Sequence, residues 1–134
     1  MKALKIEPTD KTPAITLDAV GNQFEINGRS VPHDAEAFYN PILEWFEEYA
    51  QNPNRKTIIS FNLEFFNISS SKRILFILYR LNEMIDNGAS VVVHWKYSEN
   101  DDDMLEVGQD YAFMVKVPFE FICTARESVE AVYA

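Results

Sequence analysis

The chain of 134 residues is 47% hydrophobic, contains ten Phe, six Tyr and two Trp, and carries a formal net charge of −9. This length is typical of one domain and can bury about two thirds of its unfolded surface without a metal or a disulfide, so residues 1–134 are predicted to form a single domain. The negative charge repels phosphate backbones and anionic lipid, so we expect no nucleic-acid partner and no membrane-surface partner.

Residues 1–13 contain Pro8 and Pro13 and are predicted to be irregular. They include neither the apolar segment of a secretory signal nor a small-residue cleavage site. No apolar run in the sequence approaches the ~20 residues that a membrane-spanning helix requires. With one cysteine and no export signal, the protein is expected to be cytoplasmic.

Two strands and a helix are predicted next. Ala14 to Val20 is predicted to be a strand, and the turn signal Gly21-Asn22 joins it to a second strand at Gln23 to Asn27. Asp34 is the expected N-cap of a helix that continues to about Ala50, because apolar side chains recur there at spacings of three and four.

The middle of the chain changes its hydrophobic period twice. Lys56 to Phe66 alternates between apolar and polar residues, which predicts a strand with one buried face. Ser69 to Asn87 has the helical period with a broad apolar stripe, and Gly88 is the expected stop. Val91 to Tyr97 alternates again and predicts another half-buried strand.

The last part of the chain predicts a helix, a strand and a short terminal helix. The acidic run Glu99 to Asp103 leads into a third helix that ends near Val115, with Asp103 as its expected cap. Pro118 to Thr124 is predicted to be the last strand, and the tail to Ala134 a short helix. Cys123 lies in that apolar strand, which predicts a buried, unreactive thiol.

The predicted order is therefore β-β-α-β-α-β-α-β, an α/β fold. Strand-helix-strand units from residue 56 onward favour right-handed crossovers, so a mixed, largely parallel sheet is expected. Parallel strands that are covered on both faces read as continuous apolar runs, whereas three strands here keep a polar face. The helices are therefore expected mainly on one face of the sheet.

No constellation of catalytic or metal-binding residues is visible in the sequence. It has neither a phosphate-binding P-loop nor a dinucleotide-binding glycine motif. His33 and His94 lie far apart, and the acidic run lacks the spacing of a calcium-binding loop. We therefore expect no metal, no cofactor and no enzymatic activity. Convergence of His94, Glu64 and Asn62 in a deep pocket would favour a small enzyme instead.

Three consecutive serines, Ser69, Ser70 and Ser71, connect the central strand to the most apolar helix. One serine suffices as a helix cap, so the pattern alone leaves both a cap and a phosphorylation switch open. A phosphate at this helix start would meet free N–H groups and the positive end of the helix dipole, and Lys72 and Arg73 could pair with it. Its charge could also eject a partner from the same surface.

Several short motifs occur in a recognisable order along nearly the whole chain. They are Thr12-Pro13, Phe24 to Ser30, Phe38 to Trp45, Phe65 to Lys72, Val93 to Tyr97 and Val117 to Phe119. In these motifs the chain resembles the SiaC family of regulatory phosphoproteins. The chain also has a strand followed by an Asn with hydroxyl residues and then by a helix. This arrangement resembles the way in which STAS domains (anti-sigma-factor antagonists) present a phosphorylatable Ser, so a STAS-like fold is implied.

The resemblance implies a non-enzymatic signalling regulator that a protein kinase phosphorylates and a PP2C-type phosphatase resets. The unphosphorylated form would bind an output enzyme such as a diguanylate cyclase, in cyclic-di-GMP signalling and biofilm regulation. The family acceptor is a Thr directly after the Asn, where this chain has Ile68. Ser69 is the nearer substitute and Ser70 the next. The candidate site comprises the phosphoacceptors Ser69, Ser70 and Ser71 and the partner contacts Asn67, Ile68, Lys72 and Arg73.

Two alternatives to a phosphorylation switch stay open. If Ile68 has removed the switch, the chain is a constitutive protein-binding or dimerisation module, and a homodimer is one form it could take. A small enzyme or ligand-binding protein is the weaker alternative, because no acid, base or metal cluster is visible.

Overall fold

The computed structural model describes residues 1–125, which form one six-stranded sheet and three helices. The terminal helix predicted in the tail to Ala134 lies outside the described residues. The elements are β1 Leu4–Ile6, β2 Ala14–Asp18, β3 Gln23–Ser30, α1 Ala35–Tyr49, β4 Lys56–Phe66, α2 Ile68–Asp86, β5 Ser90–Ser98, α3 Asp102–Met114 and β6 Phe119–Thr124.

The strands lie in the sheet in the same order as in the chain. The β1–β2 and β2–β3 pairs are antiparallel, and the three pairs from β3 to β6 are parallel. Each parallel pair is connected through a helix, as such crossovers require. The predicted mixed, largely parallel α/β sheet is therefore confirmed, with one more strand at its beginning.

That additional strand, β1, contradicts the prediction that residues 1–13 are irregular. It pairs Leu4 with Leu17 and Ile6 with Ile15 of β2. The alternation of Leu4 and Ile6 brings two apolar side chains against the core. A strand of three residues, with Lys5 at its centre, is too short to give a recognisable period.

All three helices pack on one face of the sheet, as predicted. The sheet register aligns Ile26 with Phe61 and Phe61 with Trp95, so these fully buried side chains share a face. On that face Trp95 contacts Tyr111 of α3, with ring centroids 5.6 Å apart. On the same side of β3, Phe24 lies 5.2 Å from the ring of Tyr49 in α1.

The predicted end of the second helix is confirmed. Gly88 has a φ of +93°, a conformation that residues with a Cβ rarely adopt. Its N–H donates to the carbonyl of Ile85, and the N–H of Ala89 donates to that of Met84. These two bonds satisfy carbonyls that would otherwise lack partners and form a Schellman stop.

Two predictions in the last part of the chain are wrong. The cap of α3 is Asp101, whose carboxylate accepts from the Met104 N–H at 3.0 Å, and Asp103 lies inside the helix. Cys123 is exposed, because β6 is an edge strand with a neighbour on one side only. Among the described residues, no helix combines the length and the hydropathy needed to cross a membrane.

Candidate functional site at the start of helix α2

Asn67 is the single residue between β4 and α2, and it is the N-cap of α2. Its side-chain oxygen accepts a hydrogen bond from the Ser70 N–H at 2.9 Å. Its backbone N–H donates to the Ser30 carbonyl at 3.1 Å, which ties the helix start to β3. The cap is therefore Asn67 rather than a serine, and the helix begins at Ile68, one residue earlier than predicted.

The three serines face different surroundings, because successive helical residues point about 100° apart. Ser70 is fully buried. Its hydroxyl donates to the Ser30 carbonyl at 2.9 Å and accepts from the Ser30 hydroxyl at 2.9 Å. In this conformation its oxygen is not accessible to a kinase.

The Ser30 hydroxyl also lies 2.6 Å from the hydroxyl of Tyr39, a fully buried residue of α1. Burial raises the pKa of Tyr39 to about 12, against the opposing effect of its hydrogen bonds to Ser30 and Ser70. The phenol is therefore neutral at physiological pH, and a chain of three hydroxyls links β3, α1 and α2. Sequence reasoning missed Ser30 and Tyr39. Neither belongs to the Asn67-to-Arg73 segment, and Ser30 is forty residues from Ser70.

Ser71 is half-buried, and its hydroxyl donates to the Ile68 carbonyl at 2.6 Å. Its own carbonyl accepts a hydrogen bond from Tyr111 of α3 at 2.8 Å. Burial raises the pKa of Tyr111 as well, so this donor keeps its proton. Ser71 therefore connects the first turn of α2 to α3.

Ser69 is exposed, and within the described residues its hydroxyl makes no hydrogen bond. It borders a cavity of about 340 Å³ between the starts of α1 and α2. The cavity is lined by His33, Asp34, Ala35, Glu36, Ser69, Lys72 and Arg73. The structure thus brings Ser69, Lys72 and Arg73 together as the sequence suggested, and it adds His33 and two carboxylates.

The two basic residues of the site differ in their surroundings. Arg73 lies 3.4 Å from Glu36 of α1, and its side chain is only 19% exposed. Lys72 is exposed, and within residues 1–125 no carboxylate oxygen lies within 4 Å of its ammonium group. Lys72 is therefore the better placed of the two to meet a new negative charge.

Ile68 is the first residue of α2, and its side chain is 89% exposed. Phe65, three residues earlier, is 50% exposed. Apolar side chains of this size beside an exposed hydroxyl offer a surface suited to protein contact.

The residues that would have indicated an enzyme do not form a catalytic group. His94 lies 3.0 Å from Glu120, whereas Glu64 lies 3.8 Å from Arg29. Within residues 1–125, no group of three or more His, Cys, Asp or Glu residues could hold a metal ion. The geometry is that of a surface for protein contact, with an exposed hydroxyl and an exposed apolar side chain on a capped helix start.

Comparison with known proteins agrees with this class. The model of the family described as SiaC family regulatory phosphoprotein matches residues 6–124. The chain is 26% identical over 119 residues to an uncharacterized protein of Pseudomonas aeruginosa (strain UCBPP-PA14). The aligned region covers 89% of this chain and 94% of that protein.

Solved structures give the same result. SiaC of Pseudomonas aeruginosa is 25% identical, with a TM-score of 0.84 over 92% of this chain and 100% of that one. A second similar structure is the activator SiaC in complex with the diguanylate cyclase SiaD of that organism. There the TM-score is 0.85 and the identity 25%, over 90% of this chain and 99% of that chain.

The chain therefore belongs to the SiaC family of regulatory phosphoproteins. It is a regulatory protein and not itself an enzyme, as its sequence predicted.

Proposed function

We propose that this chain is a single-domain signalling regulator that binds an output enzyme through the surface around Ile68, and that a protein kinase controls this binding by phosphorylating Ser69. The observation that carries the proposal is the contrast among the three serines. Ser69 is exposed, whereas Ser70 is fully buried and Ser71 is half-buried and hydrogen-bonded.

The position of Ser69 suits a phosphate. Ser69 is the second residue of α2, where backbone N–H groups lack helical partners and the helix dipole favours negative charge. Lys72 and Arg73 border the same cavity and supply cations. The carboxylate of Glu36 already pairs with Arg73, so a phosphate at Ser69 would compete with Glu36 for this guanidinium.

For the output enzyme we propose a diguanylate cyclase, because the similar SiaC of Pseudomonas aeruginosa is the activator in a complex with the cyclase SiaD. Unphosphorylated protein would bind the cyclase and so act in cyclic-di-GMP signalling and biofilm regulation. Phosphate on Ser69 would place about two negative charges beside Ile68 and weaken binding. A PP2C-type phosphatase would restore the binding form. A cytoplasmic location fits these partners.

The acceptor is tested by incubating the protein with the kinase encoded near its gene and mapping phosphate by mass spectrometry. We expect phosphate on Ser69, none on Ser69→Ala, and normal incorporation into the matched variant Ser71→Ala. Phosphate on Ser70 or Ser71, or none at all, would contradict the choice of Ser69.

The consequence for binding is tested with the diguanylate cyclase from the same gene neighbourhood. Ser69→Asp should weaken its binding by at least about tenfold, because a like or unpaired charge at an interface costs several kcal/mol. An Asp in the first turn is compatible with the helix dipole, so the fold should remain intact. Equal binding by wild type and Ser69→Asp would argue against the switch.

The second candidate is a constitutive binding or dimerisation module. The observation that favours it is Ile68, an exposed side chain that cannot be phosphorylated, at the position where the resemblance implies the family acceptor. It predicts cyclase binding or self-association that neither the kinase nor Ser69→Asp changes, as light scattering would detect for a dimer.

A further inference from the structure

A groove lies on the α3 side of the first turn of α2, away from the Ser69 cavity. It encloses about 230 Å³ between the end of β4 and the start of α3. Phe65, Phe66, Met104 and Val107 supply its apolar lining. Carboxylates of Glu64, Asp101 and Asp103 line it as well. We refer to these seven residues as the acidic groove.

The groove lies in the most acidic part of the molecule. Residues 99–114 contain six carboxylates and no Lys, Arg or His. These carboxylates are Glu99, Asp101, Asp102, Asp103, Glu106 and Asp110. Among residues 1–125, the one cation within 4 Å of a groove carboxylate is Arg29, which lies 3.8 Å from Glu64.

The size and the charge of the groove restrict what can occupy it. Small-molecule pockets usually enclose about 300–1,000 Å³, so this groove is small for a nucleotide or a metabolite. The carboxylates also repel phosphate groups, which disfavours a cyclic dinucleotide as its ligand. An apolar side chain flanked by cations satisfies both the lining and the charge.

The apolar lining is continuous with the surface proposed to bind the output enzyme. Phe65 lines the groove, is 50% exposed, and precedes the exposed Ile68 by three residues. The guanidinium of Arg29 lies 5.9 Å from the centroid of the Phe65 ring and 3.8 Å from Glu64, which holds this edge in place. A segment that crosses Ile68 can therefore continue into the groove.

We infer that the acidic groove docks a segment of the output enzyme in which an apolar side chain is flanked by Lys or Arg. The inference rests on the proposed function for its partner, and it adds the chemistry by which that partner is recognised. The groove is bounded by α3, whereas the Ser69 cavity is bounded by α1. Recognition in the groove and phosphorylation at Ser69 thus use separate surfaces with no lining residue in common.

The inference is tested by measuring the affinity of the diguanylate cyclase for wild type and two charge-reversal variants at several salt concentrations. Asp103→Lys places a cation in the groove. Glu48→Lys makes the same charge change on an exposed position of α1 and is the matched control. We expect Asp103→Lys to weaken binding by about tenfold and to flatten its salt dependence, and Glu48→Lys to change it less than about twofold.

Asp103 lies in the first turn of α3, so its replacement also removes a favourable helix-dipole interaction. Asp103→Asn and a thermal melt followed by circular dichroism control for this effect. Asn keeps the size and polarity of Asp, and it should weaken binding by less than the Lys variant. If the cyclase bound wild type and a folded Asp103→Lys variant equally tightly, the inference that the acidic groove docks the cyclase would be overturned. The proposed function would be unaffected.

A second probe separates the two proposals if no cyclase binds, which would count against the proposed function. A fluorescent 16-residue peptide of alternating Lys and Leu pairs should bind wild type and Glu48→Lys saturably, and Asp103→Lys several-fold more weakly. The same peptide with Glu in place of Lys should not bind. Absence of saturable binding, or equal affinity of the peptide for the two variants, would overturn the inferred docking role of the acidic groove independently of the cyclase.

Discussion

The hydroxyl of Ser70 is the point where β3, α1 and α2 meet. It contacts the Ser30 carbonyl and hydroxyl, and Ser30 in turn contacts Tyr39. Each of these hydroxyls is fully buried, and each has at least one partner, so the network avoids the cost of an unsatisfied polar group. Ser70 therefore stabilises the helix start on which the exposed Ser69 is displayed.

Replacing Ser70 tests this structural role. Ser70→Ala should lower the free energy of unfolding by about 1 kcal/mol, because the Ser30 carbonyl keeps its bond from the Asn67 N–H. Ser70→Asp should cost about 3 kcal/mol or more, since it places a charge in a buried site without a cation. Urea unfolding measures both, and Ser69→Ala should stay within about 0.5 kcal/mol of wild type. A stable Ser70→Asp protein would show that the site is not closed in solution.

At the residue scale, the serine cluster and its basic neighbours could be predicted from the sequence, but the role of each serine could not. Ser69, Ser70 and Ser71 are equivalent in local sequence. Their differences come from contacts with Ser30 and Tyr111, each forty residues from its partner. Local patterns do not contain such information.

Among the secondary-structure elements, α3 is positioned by its approach to β5. The indole N–H of Trp95 donates to the Met104 carbonyl at 2.9 Å, one turn before Gly108. A Cβ at position 108 would overlap the indole ring itself. Glycine therefore allows α3 to pack directly on Trp95, and this contact sets the place of the groove wall formed by Met104 and Val107.

Gly108→Ala should therefore displace α3. We expect a loss of about 1–3 kcal/mol in the free energy of unfolding, because the added methyl group overpacks a closed contact. The intrinsic fluorescence of the protein should change with the surroundings of Trp95, and binding in the acidic groove should weaken. Gln109→Ala, at the exposed neighbouring position, should leave the stability, the fluorescence and the binding in the groove unchanged. Unaltered stability and fluorescence in Gly108→Ala would contradict the packing described.

Elements with a clear period were predictable, whereas caps and edges were not. The sequence prediction for β4, Lys56 to Phe66, matches both of its ends, because its side chains alternate between buried and more exposed positions from Lys56 to Glu64. Capping residues occur in runs at both α2 and α3, so Asn67 and Asp101 could not be distinguished locally from their neighbours. Cys123 is exposed because its strand is at the sheet edge, which depends on the whole strand order.

For the molecule as a whole, the strand order leaves one sheet face without helices. From β3 to β6 every crossover moves in the same direction, so the described sheet has no point where the order reverses. Open α/β sheets bind small ligands in the crevice at such a reversal. The sheet of residues 1–125 therefore offers no crevice of this kind, which fits the surface binding proposed above.

The whole molecule should lose stability at high pH. The pKa of Tyr39 is about 12 in the fold against 10 in the unfolded chain, and that of Tyr111 is also raised by burial. Above pH 10 the unfolded state releases protons that the folded state retains, so the free energy of unfolding falls as pH rises through 10 to 12. Tyr39 alone accounts for about 2–3 kcal/mol at the upper end.

Urea unfolding between pH 8 and pH 11.5 measures this effect. Tyr39→Phe should be less stable at pH 8 through loss of its hydrogen bond, yet show a shallower decline toward high pH. Tyr79→Phe, at an exposed tyrosine, serves as the matched control and should retain the wild-type slope. A Tyr39→Phe protein with an unchanged slope would contradict the burial of this phenol.

The identity of strand order and chain order also bears on how the molecule is made. Each strand pairs with the one synthesised just before it, so no strand pair of the described sheet joins residues more than 36 positions apart. A growing chain can add each completed β-α unit to the open edge of the preceding one as it leaves the ribosome. The acidic groove, which requires α3, then forms after the hydroxyl network beneath Ser69 is in place.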